Sequence, residues 1–328
     1  MNQRNQILSF CIVCVLLIAL GFGTPYMLET GAEILIFAIF AMSLNLLLGY
    51  TGMMSFGHAA FFGIATYTVI GLGVHLGLSG WWGLLAGIAA STVLAAVIGA
   101  FCVRVTGIPF VMLTMAFSQL LYAVALKWRD LSGGSDGLNG FEQPSLFGLS
   151  LQQSPVGRYA VVAIGFIVVL GFMICLVRSP LGSIFIGIRE NEQRMRAIGY
   201  PVERFRLLAF VIAGALAGIA GALYALFNAY VSPDVLRWGQ SGDVMIMVVL
   251  GGAGTVVGPA IGAALYLLMK NVISTHSEYW AFWVGWIFIF CVMFMREGVW
   301  GFAAALFKRN TPCQLLARSK AVSGPGVK

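Results

Sequence analysis

GSIFIGIRENEQRMRAIGYPVERFR, residues 182–206, is a hydrophilic island between long apolar stretches, and its reading decides the fold. Its charged residues are Arg189, Glu190, Glu192, Arg194, Arg196, Glu203, Arg204 and Arg206. So many charges cannot lie in hydrocarbon. The apolar runs on either side, 159–178 and 207–230, are each long enough to cross the ~30 Å core of a bilayer as a helix of ~20 residues. The island is therefore a loop between two crossings. Its excess of arginine over glutamate assigns it to the cytoplasmic side.

The same pattern extends along the chain. Only 9% of the 328 residues are charged and 60% are hydrophobic, which leaves too few charges to cover a soluble domain of this size. Apolar runs lie near 7–25, 33–49, 57–77, 82–103, 108–127, 159–178, 207–230, 243–269 and 279–296, with a shorter piece at 299–307. They predict an all-α polytopic membrane protein, a bundle of about 9–10 transmembrane segments. The ~10-residue alternating segments of a membrane barrel are absent. The formal charge of +7 then marks cytoplasmic loops and not a nucleic-acid surface. Cys11, Cys14, Cys102, Cys175, Cys291 and Cys313 fall mostly in apolar runs without metal-ligand spacing, and read as small packing residues. Cys11 and Cys14 form a CxxC, but in a hydrophobic segment without a soluble redox fold. The run 7–23 is long for a signal peptide and no small-x-small cleavage site precedes Thr24-Pro25, so a retained first span is expected.

With a cytoplasmic N-terminus, six crossings return the chain to the cytoplasm at the island, and the connector 127–158 falls outside. A parity problem follows. Three more simple spans would leave the basic tail (Lys308, Arg309, Arg318, Lys320, Lys328) outside. The run DVMIMVVLGGAGTVVGPAIGAALYLLMK, 243–270, resolves it, because Gly251, Gly252, Gly254, Gly258 and Pro259 permit a re-entrant break where the backbone is buried in protein. The broken pair is preferred, with a tenth crossing at 299–307 as the alternative. Residues 1–308 then form one membrane domain, with a cytoplasmic loop at 179–206 and a polar tail at 309–328. A second glycine-interrupted stretch, LLLGYTGMMSFGHAAFFG at 46–63, hints at a paired interruption of the kind that marks a translocation path.

Within the island, 182–199 reads as one short amphipathic helix with Ile184, Phe185, Ile188 and Met195 on its apolar face. Gly199-Tyr200-Pro201 ends it. The plain alternative is an ordinary solvated loop. His58 at membrane depth needs a partner or a cavity. It reads either as a substrate contact or helix-break stabiliser, or, preferably, as a neutral histidine bonded to a neighbouring carbonyl. Asn45 and Ser55 read as path-lining or helix-linking polar groups, and with Gly52, Gly251 and Gly252 they join His58 as candidate path-lining residues. SGGSDGLNG, 132–140, has turn chemistry and reads as an outer-mouth element or a plain surface turn. Asp243 is expected at the outer start of its span, capping with Ser241. Gly214/Gly218 and Gly258/Gly262 are small-xxx-small pairs suited to close helix packing. No metal motif or catalytic triad is visible, and the absence of GxxxxGK[ST] means that this chain supplies no P-loop ATPase.

The run GIRENEQRMRAIGYPVERFRLLAFVIAGALAGIAGALYA, 187–225, resembles the cytoplasmic loop and following span of ABC-importer permeases for branched-chain amino acids, in particular the M-type of their two paired subunits. Three further segments resemble the same family in order: SLNLLLGYTGMMSFGHAAFFGIATYT (43–68), GIPFVMLTMAFSQLLYAVALKWRDLSGGSDGLNG (107–140) and MIMVVLGGAGTVVGPAIGAAL (245–265). The resemblance covers roughly 33–296. It implies a bacterial inner-membrane permease paired with a homologous permease, two cytoplasmic ATPase subunits and an extracytoplasmic binding protein. ATP and Mg would sit on the ATPases, with no cofactor on this chain. It further implies that 182–199 is the coupling helix. Gly182, Arg189, Glu190, Asn191, Glu192, Arg194, Arg196 and Gly199 are then candidate ATPase-coupling residues, with Arg189, Glu190 and Glu192 foremost. Gly187 departs from the alanine common in the family and would loosen an isolated helix by ~1 kcal/mol. Similar permeases carry urea, short amides or small aromatic acids. An ion-gradient carrier or a membrane assembly protein are the readings from other classes, and a deep essential carboxylate would favour the carrier.

Overall fold

A computed structural model describes residues 24–141, 143–146, 149–150, 154–294 and 298–301. The first expected span with Cys11 and Cys14, the tail 309–328 with Cys313, and most of the 299–307 piece lie outside the described residues. The helices are α1 (Pro25–Asn45), α2 (His58–Leu76), α3 (Gly80–Cys102), α4 (Ile108–Lys127), α5 (Pro155–Arg178), α6 (Pro180–Glu190), α7 (Glu192–Ala197), α8 (Val202–Asn228), α9 (Trp238–Gly251), α10 (Gly258–His276) and α11 (Trp280–Phe294). A two-residue antiparallel pair, Ser145–Leu146 with Leu149–Ser150, is a minor addition. Among the described residues, six helices are long and apolar enough to cross a membrane: α1 with its π-helical extension to Thr51, α2, α3, α4, α5 and α8. The chain is a polytopic all-α membrane protein.

Local chemistry sets the helix starts. Thr24-Pro25, Ser154-Pro155 and Ser179-Pro180 place a hydroxyl residue at the N-cap and proline, which has no amide hydrogen to leave unpaired, at the first helical position. Ser154 and Ser179 accept hydrogen bonds from Gly157 N–H and Gly182 N–H. Helix α1 is apolar all round and accordingly central, buried continuously from Leu35 to Asn45 and packed against α5, α8, α9 and α10. Helices α3 and α4 lie at the periphery, exposing Trp82, Val93, Phe101, Ile108, Met112 and Leu120.

Glycines bring α8 close to its neighbours. A Cβ on Gly214 would overlap Ala95, and one on Gly218 would meet Ser91 Cβ at 2.6 Å, while Ser91 donates a hydrogen bond to Gly214 O at 2.8 Å. The Gly214/Gly218 pair is thus the packing seam expected of it, made against α3. Thr66 of α2 donates to Gly221 O in the same way, at 3.0 Å.

The run 243–269 is not one span. It is an antiparallel hairpin of α9 and α10 with its turn at 252–257. Gly251 and Gly262 are in backbone contact with Gly258 and Met247, and Asp243 lies beside Tyr266 across the pair. The 14 residues of α9 extend only ~21 Å, too short for the ~30 Å hydrocarbon core. His276, at the far end of α10, therefore lies on the side of the 127–158 connector and the hairpin turn lies toward the island, while Trp238, its ring 6.5 Å from that of Phe56, starts α9 part-way along the bundle. The preferred broken-pair reading matches this arrangement. Gly298 packs on the Gly252 backbone, so α11 runs back toward the turn.

Asn45, fully buried at the end of α1, holds that turn. Its Nδ2 donates to Thr255 O at 2.8 Å and its Oδ1 accepts from Gly254 N at 2.9 Å. Thr255 Oγ1 in turn accepts from Gly258 N at 3.1 Å and donates to Gly252 O at 2.9 Å, which caps α10.

Two outcomes test this architecture. A cysteine at His276 is labelled by impermeant maleimide from the same face as one at Asn139 and from the opposite face to one at Gln193; labelling with Gln193 would restore the single span. Asn45→Ala lowers the unfolding free energy of the purified protein in mixed micelles by about 1–3 kcal/mol, and an unchanged value would mean that other contacts hold the turn.

Candidate functional site

The island departs from the single helix expected over 182–199. It is two helices, α6 and α7, broken at Asn191, whose backbone is extended (φ −159°, ψ 95°) and whose Oδ1 accepts from Arg194 N at 2.9 Å. Asparagine competes with the helix by capping the next one, and here it does so. Helix α7 folds back so that Met195 covers Gly187. A Cβ there would lie 2.9 Å from Met195 Sδ, so the glycine makes room for a contact and does not merely weaken the helix. Gly182 lets α6 turn tightly over the end of α5, where a Cβ would overlap Val177 O.

Gly199 has φ +96°. Tyr200 N bonds to Met195 O at 3.1 Å and Gly199 N to Arg196 O at 3.0 Å, the paired bonds of a glycine C-cap.

The charges divide by direction. Arg189, though exposed on one side, donates from Nη1 to Gly49 O of the π-helical turn (Leu46–Thr51). Its aliphatic stem covers Gly52, where a Cβ would sit 3.3 Å from Arg189 Cγ, and Nη1 would lie 3.0 Å from a Cβ on Gly254. It thus touches both broken-helix regions at once. Glu192 is ion-paired with Arg196 at 2.9 Å and lies 3.8 Å from buried Arg206. Arg196 also reaches Glu203 at 3.5 Å. Glu190 and Arg194 are exposed, and among the described residues their side chains make no hydrogen bond or ion pair. Of the three residues singled out as foremost contacts, Glu190 alone faces wholly outward.

The candidate path-lining residues are mostly enclosed. Asn45, Ser55 and His58 are 0–3% exposed, and Gly251 and Gly252 are buried in the hairpin. Gly52 is exposed and borders a cavity. His58 lies between Phe40, stacked at 5.7 Å, and the edge of Phe61 at 5.7 Å. Ser43 Oγ gives its hydrogen to Phe40 O at 2.6 Å, so His58 Nε2, 2.9 Å away, is the donor in the bond between them. Nε2 therefore carries a hydrogen, with Ser43 as partner in place of the expected carbonyl. The ring is buried in the core, out of reach of any molecule in transit in this conformation.

Ser241 does not cap its own helix with Asp243. Both lie inside α9, and Ser241 Oγ accepts from Ala59 N at 2.8 Å, satisfying the open end of α2. Lys270 of α10 interacts electrostatically with Asp243 and with Glu33 of α1, and lies 5.3 Å from the centroid of Trp280. Glu33 went unremarked in the sequence because its partner is 237 residues away. In the 132–140 turn, Gly133, Gly134, Gly137 and Gly140 have positive φ, and Leu138 bridges Val231. The turn closes the end of α8 opposite the island.

Residues 26–295 match the family described as branched-chain amino acid transport system / permease component. The chain is 28% identical over 313 residues to the high-affinity branched-chain amino acid transport system permease protein LivM of Escherichia coli K12, covering 87% of this chain and 73% of that one. The LivM protein of Salmonella typhimurium LT2 is 28% identical over 311 residues, 86% of this chain and 73% of its own. The LivH permease of E. coli K12 is 24% identical over 260 residues, 74% of this chain and 84% of that relative. No solved structure matches the chain. With the match spanning the bundle from the start of α1 to the end of α11, this chain belongs to the branched-chain amino acid transport permease family.

Proposed function

We propose that the chain is the M-type membrane subunit of an ABC importer for branched-chain amino acids. It would lie in the bacterial inner membrane with the island, the N-terminus and the tail in the cytoplasm. Its partners are a homologous permease, two ATPases that hold ATP and Mg, and an extracytoplasmic binding protein. The observation that carries the reading is the island: a folded, arginine-rich pair of helices seated on the broken helices of a bundle that has no nucleotide-binding motif of its own. The similarity to both LivM and LivH proteins supports a paired permease.

The division of charges suggests how coupling works. Glu190 and Arg194 face outward and set register on an ATPase, as rim charges do. Arg189 faces inward, so displacement of α6 is felt at Gly49 and at the hairpin turn. ATP-driven closure of the ATPases then biases the bundle between inward and outward access, by no more than the difference in their binding to the two states. Nothing favours an ion-gradient carrier: among the described residues, Asp243 and Glu33 each interact electrostatically with Lys270, which offsets their charge.

The test is reconstitution of the four-component importer with its binding protein. Glu190→Ala with Arg194→Ala weakens ATPase association about tenfold at normal membrane insertion, as loss of paired interface charges costs ~1–2 kcal/mol. Arg189→Ala leaves association intact but lets ATP hydrolysis continue while leucine uptake falls. Undiminished uptake by both variants would sink the coupling assignment. Uptake by the permease alone on an imposed ion gradient would replace it with a carrier.

A further inference from the structure

A cavity of about 500 Å³ opens beside the island, between the loop that follows the π-helical turn, the start of α4, and the island-side ends of α6 and α8. That volume lies in the ~300–1,000 Å³ range of small-molecule sites. Its lining combines apolar side chains, among them Met54, Phe110 and Ile188, with the charged Arg206 and Glu192, while Arg189 is committed to Gly49 O.

Arg206 is unusual for an arginine, at 4% exposed. Its Nε contacts Met53 Sδ at 3.3 Å and Nη2 reaches Val105 O at a long 3.4 Å. Its Nη1 makes no hydrogen bond, and Glu192 Oε1 is 3.8 Å away and already engaged by Arg196 at 2.9 Å. A buried guanidinium without a close acceptor is costly, and a carboxylate is the group whose geometry matches it. A simple anion would also face Glu192, and a simple cation would face Arg206. A zwitterion satisfies both, with its carboxylate on Arg206, its ammonium toward Glu192 and an apolar side chain against Met54, Phe110 and Ile188.

We infer that this cavity binds an α-amino acid with an apolar side chain, on the island side of the permease. The inference rests on the proposed function for the identity of the cargo and for the side it faces. Because α6 and the first residue of α7 form part of the wall, a bound amino acid braces the lever against α4. Accumulated cytoplasmic product then slows further import.

The test uses the complete importer in nanodiscs without its binding protein, and radiolabelled leucine as probe. Saturable leucine binding is expected. It weakens at least tenfold in Arg206→Met, and at least tenfold in Met54→Trp, which fills the cavity from an exposed position and leaves the buried guanidinium in place should Arg206→Met fail to fold. Leucinamide, lacking the carboxylate, and 4-methylpentanoate, lacking the ammonium, each bind at least tenfold more weakly than leucine. Absence of saturable binding overturns the inference, as does binding indifferent to Met54→Trp. So does 4-methylpentanoate binding as well as leucine, which would mark a general anion or lipid-headgroup seat. ATP-driven leucine uptake by the same wild-type complex, measured with binding protein in vesicles, separates the two claims. Lost uptake would strike the proposed function, whereas intact uptake without nanodisc binding would strike this site alone.

Discussion

Inside a bilayer, every backbone N–H and C=O must find a partner within the protein, because no water is there to replace it. This constraint governs the centre of the molecule. Helix α1 ends in a π-helical turn, α2 starts without a side-chain cap of its own, and the α9–α10 hairpin reverses direction at a glycine-rich turn packed against Gly49. Each break frees backbone groups, and each is closed by a polar side chain from elsewhere. Asn45 joins α1 to the hairpin turn, Ser241 of α9 caps α2, and Thr255 caps α10. Glycine is required where these backbones meet. A Cβ on Gly49 would overlap the Gly254 backbone, and one on Gly251 would overlap Gly258.

The island depends on that centre. Its arginines and glutamates would form an ordinary solvated loop if they did not engage the bundle, but Arg189 ends on the carbonyl of Gly49 and Arg206 is drawn into the protein beside Val105. The island and the broken helices therefore pack as one unit, and Arg189 is the side chain of α6 that touches both the π-helical turn and the hairpin turn.

Much of the fold was legible from apolar run length alone. The predicted spans at 57–77, 82–103 and 108–127 differ from α2, α3 and α4 by at most two residues at either end, since length and polarity mark entry into the bilayer. The hairpin was legible through glycine and proline together with the parity of the basic loops. The candidate site was legible as a location but not as a set of roles. Arg189, Glu190 and Glu192 look alike in sequence, yet one reaches inward, one faces outward and one pairs with its neighbours. Of the readings open to them, Asn45 takes the helix-linking one and His58 the interior one, with Ser43 in place of a carbonyl as its partner.

Composition and periodicity by themselves determined that the chain is a multi-span helical membrane protein, where its crossings lie, and that a basic loop interrupts them. These follow from free energies of transfer, which depend on local sequence. Only the tertiary structure decided which polar groups close which breaks, why Gly187 sits beneath Met195, and which charges of the island face the protein and which face away. Those assignments depend on partners up to 210 residues apart, such as Asn45 and Thr255. They arise only when packing brings distant backbone into hydrogen-bonding range.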